Sequence, residues 1–323
     1  MYISANMYSF IKSYGHPDLL DESVVMEKMY NIGYRHVDIN FTELTNKNFI
    51  LRDDGWRRRV ERVGETAARL GMRIHQSHLP FADQTSPDFY ANGYSEYFDI
   101  CMQRAYQASG MLGVEWGVLH PRTYPEFNNE DKACLAANHA YYDRFVELGI
   151  SLGVGTAMEN QLPYLKRQRA VRYCQHYDQL IELVDSYQEP LVGICWDTGH
   201  ANQMQFDQAR ALRTIGGRLK ALHINDNHYG TRDEHLIPFL GEIDWYQVME
   251  ALAEIGYRGV LTYETGQVGR RAPAGPLQDA LATATFTSAQ VLVEIYEEAI
   301  KKQKNAVSRH PEASAEADGL KGS

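Results

Sequence analysis

The chain is poor in cysteine and contains no long apolar run. Four cysteines, Cys101, Cys134, Cys174 and Cys195, are spread along the sequence without a Cys-x-x-Cys motif, which argues against a disulfide framework and against a thiolate zinc or redox site. No stretch approaches the roughly 18 to 20 apolar residues that span a bilayer. The first residues also lack the basic start and apolar core of a signal peptide. We therefore expect a cytoplasmic protein with reduced, buried thiols.

Basic charge and nucleotide-binding loops are also scarce. The formal net charge is −10 and the pI is near 5.6, which disfavours a surface built to follow a nucleic-acid backbone. The longest basic cluster, residues 166–169 with Arg172, is typical of a solvated loop or a subunit contact, and a grip for a substrate phosphate is the alternative. No Gly-x-Gly-x-x-Gly or Walker-type loop follows a predicted strand, so the sequence does not favour nucleotide binding.

The sequence does contain a regular alternation of short apolar runs and longer amphipathic ones, which is typical of βαβ units and a parallel sheet. Eight strands are predicted, at 2–7, 34–40, 73–78, 114–120, 155–159, 192–197, 219–224 and 259–264. Helices are predicted after them, at 21–32, 56–70, 94–111, 130–151, 172–187, 206–216, 244–255 and 277–301. This pattern indicates one (β/α)8 TIM barrel over residues 1–301. The polar composition of residues 302–323 predicts a flexible tail.

Four of the predicted strands end on a side chain that can bind a divalent metal. They are Glu159, Asp197, His223 and Glu264. The C-terminal strand ends of a (β/α)8 barrel surround one mouth, where the active site lies, so these side chains can converge on one point. Carboxylates packed that closely repel each other unless a cation neutralises them. The sequence therefore predicts one divalent ion, with Mn²⁺ expected and Zn²⁺, Co²⁺ or Mg²⁺ as alternatives.

Several segments, taken together in their order and spacing, resemble the xylose-isomerase-like barrels. This family contains sugar isomerases and epimerases together with the apurinic-site endonucleases. The resemblance covers about residues 1–300. It is carried by Ala157-Met-Glu-Asn160, Gly193-Ile-Cys-Trp-Asp-Thr-Gly-His200, Leu222-His-Ile-Asn-Asp226, Arg232-Asp-Glu-His-Leu-Ile-Pro238 with Gly241 and Ile243-Asp-Trp245, and Thr262-Tyr-Glu264.

The resemblance implies that the four strand-end residues hold the catalytic metal and that Glu159 and Glu264 are also the acid and base on opposite faces of the substrate. It implies an isomerase or epimerase that moves a proton next to a carbonyl through a metal-stabilised enediolate. A lyase or dehydratase acting on a related keto-sugar, inosose or oxidised C-glycoside shares the enolisation and stays open. We expect a carbohydrate substrate, no nucleic-acid or membrane partner, and a homo-oligomer of two or four chains.

Further side chains near the same mouth are candidates for substrate binding. They are His78, His120, His200, Asp226 and Arg232. The alternatives are a helix cap for His200, a surface salt bridge for Arg232, and for Asp226 the orientation of an imidazole or a loop. Further candidates for the cavity wall are Glu115, Trp116, Trp196 and Asp38, and ordinary barrel packing explains them as well.

The same histidines also allow a site with more than one metal. His78 and His120, together with His200, Asp233 and His235, match positions that hold additional zinc ions in the endonuclease branch. A zinc-dependent apurinic-site endonuclease is therefore a second alternative function, although the acidic net charge does not favour the basic surface that DNA binding requires. A barrel that binds its ligand without catalysis is the third.

Overall fold

The computed structural model of the chain describes residues 1–11, 20–82, 86–127, 130–163, 171–231, 233–266, 268 and 275–309. Arg232 and the basic cluster 166–169, both named from the sequence, lie outside the described residues. Eight strands lie at the eight predicted places. They are β1 (Tyr2–Asn6), β2 (His36–Asn40), β3 (Arg73–His78), β4 (Trp116–Leu119), β5 (Gly155–Glu159), β6 (Val192–Asp197), β7 (Leu219–His223) and β8 (Val260–Tyr263).

The strands form a closed parallel barrel. Neighbouring strands pair in the order β7-β6-β5-β4-β3-β2-β1-β8. Ile224, directly after β7, donates its N–H to the carbonyl of Thr262 at 2.8 Å, and the N–H of Glu264 donates to the carbonyl of Ile224 at 3.0 Å. These two bonds join the ends of the sheet. The predicted (β/α)8 barrel is therefore confirmed.

Helices surround the strands. They are α1 (Tyr8–Ile11), α2 (Glu22–Ile32), α3 (Trp56–Leu70), α4 (Tyr94–Leu112), α5 (Asp131–Ser151), α6 (Tyr177–Tyr187), α7 (Thr198–Gln203), α8 (Gln208–Ile215), α9 (Trp245–Glu254) and α10 (Pro276–Arg309), with 3₁₀ turns at Pro87–Tyr90, Pro125–Phe127 and Gly216–Arg218. Local signals set their ends: Asp21 caps α2 by accepting the N–H of Ser23, and Gly71 ends α3 with a φ of 64°. Among the described residues, no helix combines the length and apolar character needed to cross a membrane.

The last helix differs from the sequence prediction. α10 continues to Arg309, past the boundary predicted at residue 302. Residues 310–323 lie outside the described residues, so the flexible tail stays a prediction.

The barrel interior has a small apolar cluster of its own, separate from the core between strands and helices. Val118, Ala157, Cys195 and Ala221 form it. Side chains alternate along a strand, and three of these residues lie two positions before Glu159, Asp197 and His223, so they face the barrel axis one layer below the strand ends. The strand ends of β5, β6 and β7 therefore lie directly above a packed apolar layer.

All four cysteines are buried and none forms a disulfide.

Candidate metal centre

The four strand-end residues meet at the C-terminal mouth of the barrel. Glu159, Asp197 and His223 close β5, β6 and β7, and Glu264 follows β8 directly. One ligand atom from each lies within 4.8 Å of the others. Nδ1 of His223 is 2.9 Å from Oε1 of Glu159 and 3.2 Å from Oε2 of Glu264. A single ion could therefore reach all four side chains.

Burial and the neighbouring charges shift the pKa values of these four side chains in opposing directions. Burial raises the pKa of Glu159, but the charges of His223 and His120 outweigh burial and hold it well below its ordinary value. Burial raises the pKa of Asp197 and of Glu264. Burial lowers the pKa of His223, yet Cys195, Glu264 and Glu159 hold it well above its ordinary value. A divalent cation would relieve the crowding of three carboxylates, so the donor set fits such an ion.

Hydrogen bonds from two asparagines fix Asp197. The side chain of Asn160 accepts the N–H of Asp197 at 2.7 Å and donates to its carbonyl at 3.0 Å. Asn225 donates Nδ2 to Oδ2 of Asp197 at 2.9 Å. A Cβ on Gly199 would lie 1.8 Å from Oδ1 of Asn225, so the close approach of the Asn225 side chain to the backbone of residue 199 requires glycine. Neither asparagine was assigned a role from the sequence, although each follows a ligand-bearing strand closely.

His78 and His120 face the other oxygen of Glu159. Nε2 of His120 lies 2.7 Å from Oε2 of Glu159 and Nε2 of His78 lies 3.7 Å from it. His78 donates Nδ1–H to the carbonyl of Leu79 at 2.9 Å, and burial lowers its pKa to about 3. Both histidines and Glu159 form a second group with ligand atoms within 4.8 Å of one another. Phe81 stacks on His120, with ring centroids 4.6 Å apart and an interplanar angle of 18°.

His200, Asp233 and His235 lie beside this centre. His200 donates Nδ1–H to the carbonyl of Asn160 at 2.8 Å, and its Nε2 is 3.9 Å from Asp233. Nε2 of His235 lies 2.7 Å from the same carboxylate. Within the described residues, the groups of three or more ligands that lie within 4.8 Å of one another do not include these residues. Additional metal binding by them stays a prediction.

Asp226 holds the loop between β7 and α9. Its Oδ1 accepts the N–H groups of Asn227 and Ile243. Its Oδ2 accepts the N–H of Phe239 and Nε1–H of Trp245. Four donors occupy this fully buried carboxylate, so the geometry favours the loop-orienting alternative over the substrate contact that we also considered.

Comparison with known proteins places the chain among similar barrels. The family model described as xylose isomerase-like TIM barrel matches residues 26–286. An uncharacterized protein of Sinorhizobium fredii is 25% identical over 274 residues, which is 74% of this chain and 83% of that protein. A D-psicose 3-epimerase of Ruminiclostridium cellulolyticum is 23% identical over 254 residues, 76% of this chain and 78% of that enzyme. The crystal structure of a D-tagatose 3-epimerase-like protein superimposes with a TM-score of 0.68 and 23% identity, over 92% of this chain and 99% of that one.

Proposed function

The chain belongs to the xylose isomerase-like TIM barrel family, and we propose that it is a divalent-metal-dependent isomerase or epimerase of a keto sugar. The observation that carries the proposal is the convergence of Glu159, Asp197, His223 and Glu264 within 4.8 Å at the barrel mouth. The similarity to a D-psicose 3-epimerase over most of both chains supports a ketose as the substrate class.

The four converging residues would hold the ion. A divalent ion there would polarise the carbonyl of a bound keto sugar and stabilise the negative charge that develops on its oxygens as the neighbouring proton leaves. Mn²⁺ suits three carboxylates and one imidazole, and Zn²⁺, Co²⁺ and Mg²⁺ are the alternatives.

Glu159 and Glu264 would move the proton. Their carboxylate oxygens lie 2.9 and 3.2 Å from Nδ1 of His223, so both carboxylates can reach a substrate bound beside this atom. Their pKa values are displaced in opposite directions: His223 and His120 overcome burial and lower that of Glu159, whereas burial raises that of Glu264. In the metal-free site this split favours an ionised Glu159, which suits a base, and Glu264 would take up a proton from solvent before it acts as the acid. Glu159 would remove the proton beside the carbonyl and Glu264 would return one, and in the reverse direction the roles exchange.

Three histidines would bind the sugar. Nε2 of His120 and of His78 face Glu159 from the mouth. Nδ1 of His200 is engaged with a backbone carbonyl, which leaves Nε2 for a substrate oxygen. These residues would orient the hydroxyls next to the reacting carbon. Arg232 stays a predicted substrate contact outside the described residues.

One observation favours a second candidate, a multi-metal phosphodiesterase of the apurinic-site endonuclease kind. His78, His120 and Glu159 form a second ligand group that shares Glu159 with the first. Metal analysis of the purified protein separates the two functions. More than one zinc per chain together with cleavage of an abasic duplex would favour the phosphodiesterase, and one ion without cleavage favours the isomerase.

A panel of ketoses, with D-psicose and D-tagatose among them, tests the proposed reaction. Protein freed of metal by chelation and then reloaded with Mn²⁺ is incubated with each sugar, and the products are separated by chromatography. We expect conversion only after reloading, and loss of conversion in Glu264→Gln. The exposed Glu61 provides a matched control, Glu61→Gln, that should keep full activity. Elimination products in place of isomers would identify a lyase, and no conversion of any ketose, inosose or C-glycoside would contradict the proposal.

A further inference from the structure

The barrel interior below the metal ligands is polar on one side. Asn6, Asp38 and Gln76 lie side by side in the register of β1, β2 and β3, and Gln76 lies two positions before His78, on the same strand face. Thr262 of β8 donates its hydroxyl across the barrel to Oε1 of Gln76 at 3.4 Å. All four side chains are buried. Small apolar residues fill the opposite side.

Several polar atoms on this side lack partners. Among the described residues, they include both carboxylate oxygens of Asp38, Nε2 of Gln76, Nδ2 of Asn6 and Oγ of Ser4. Buried polar atoms are rarely left unpaired, because each costs free energy unless a water or an ion satisfies it. Gln76 is close enough to lower the pKa of Asp38, yet no hydrogen bond of good geometry joins them. Two unpaired acceptor oxygens and three unpaired donor groups on the adjoining strands β1, β2 and β3 are an arrangement that bridging water satisfies.

His223 provides one more unpaired atom. Its Nδ1 faces Glu159 and Glu264, while its Nε2 is buried without a hydrogen-bond partner in the described part of the chain. Asp38 lies beside Gln76 in the register of β2 and β3, and the ring of His78, two residues after Gln76, stacks on the ring of His223 with centroids 5.3 Å apart. Burial raises the pKa of Asp38, and among the nearby charges that of His223 lowers it most. Cys195 is close enough to His223 for a side-chain hydrogen bond to shift the pKa values of both groups, but a thiol is a weak acceptor. Asp38 is therefore the better-matched acceptor for this N–H.

A metal-bound histidine usually donates its second ring N–H to a carboxylate, a carbonyl or a water, which fixes the tautomer and raises the basicity of the ligand nitrogen. We propose that Asp38 is the positioning residue of the metal centre: through ordered water held by Ser4, Asn6 and Gln76, its carboxylate accepts the Nε2–H of His223 and keeps Nδ1 free for the ion. This inference rests on the metal site of the proposed function and not on the reaction assigned to it.

The test measures metal affinity in the full chain. Wild type, Asp38→Asn and Cys195→Ala are freed of metal and titrated with Mn²⁺ by calorimetry. We expect Asp38→Asn to bind Mn²⁺ about 10- to 100-fold more weakly and Cys195→Ala to stay within twofold of wild type. Unchanged affinity in Asp38→Asn, or a loss in Cys195→Ala alone, would overturn the proposal.

A second measurement needs no variant and applies even if Asp38→Asn does not fold. In zinc-loaded wild type labelled with ¹⁵N-histidine, the ring nitrogens of His223 should show Nδ1 bound to metal and a slowly exchanging proton on Nε2. Metal bound through Nε2 would overturn the proposal. These results can be distinguished from a failure of the proposed function. Weakened Mn²⁺ binding in Asp38→Asn supports this inference even when no sugar is converted. Conversion of a ketose by wild type supports the proposed function even when Asp38→Asn binds Mn²⁺ normally.

Discussion

Nε2 of His120 lies 2.7 Å from Oε2 of Glu159. This contact places Glu159 between two neighbours, because its other oxygen faces His223 at 2.9 Å. The carboxylate is thereby shared by the candidate metal ligands and by the histidine pair at the mouth. Its protonation and its orientation both depend on residues that do not belong to the four-ligand set.

Removing His120 should shift the pH dependence of the reaction. The charge of His120 helps to keep the pKa of Glu159 below its ordinary value, against burial, so in His120→Gln the pKa of Glu159 rises. A base with a higher pKa is ionised only at higher pH, and the acidic limb of kcat/KM should therefore move to higher pH. His78→Gln is the comparison, since its Nε2 is 3.7 Å away and its shift should be smaller. An acidic limb that stays in place in both variants would contradict this.

Replacing Phe81 should weaken substrate binding with little effect on folding. Its side chain is 45% exposed and stacks on His120, so it is both a wall of the mouth and a support for the imidazole. Aromatic stacking contributes about 0.5 to 1.5 kcal/mol, and we expect KM to rise about two- to tenfold in Phe81→Ala. Tyr246, 67% exposed on α9, gives the control Tyr246→Ala. A lower unfolding temperature with unchanged KM would show that Phe81 serves packing alone.

Metal uptake should release protons and tighten with pH. The metal-free pKa of His223 lies well above its ordinary value because Cys195, Glu264 and Glu159 outweigh burial, and burial raises the pKa of Glu264. Both groups must lose protons to become ligands, so affinity for Mn²⁺ should rise between pH 6 and pH 8. Calorimetry in two buffers of different ionisation enthalpy counts the protons released. Equal affinity at both pH values, with no proton released, is the opposing result.

The loop held by Asp226 should not tolerate a side chain at Gly241. An added Cβ there would lie 2.3 Å from Oδ1 of Asp226 and 2.6 Å from the carbonyl of Asn227. Overpacking of this kind costs about 1 to 3 kcal/mol, which we expect as lost unfolding free energy in Gly241→Ala. Gly217, where a Cβ would have nothing within 4 Å, gives the neutral control Gly217→Ala. Equal urea midpoints for the two variants would contradict this account of the loop.

The sequence was sufficient for the barrel and for the convergence of its four candidate ligands at the strand ends, because apolar alternation sets the strands and their order sets the mouth. It could not show contacts across the barrel. The approach of Thr262 to Gln76 joins residues far apart in sequence, and the unpaired state of Asp38 depends on what surrounds it in three dimensions. Asp226 illustrates the same limit: its spacing from His223 left two roles open, and only the four donors around its carboxylate favour one.

Solvent deuterium incorporation tests the central claim most directly. The Mn²⁺-loaded protein is incubated in D₂O with the ketose that it converts, and deuterium at the carbon next to the carbonyl is measured for wild type, Glu159→Gln and Glu264→Gln, each with its metal content verified. We predict deuterium at that carbon in wild type and a loss of exchange of about 100-fold or more in Glu159→Gln. Exchange at the wild-type rate in metal-loaded Glu159→Gln would contradict the role of this carboxylate as the base.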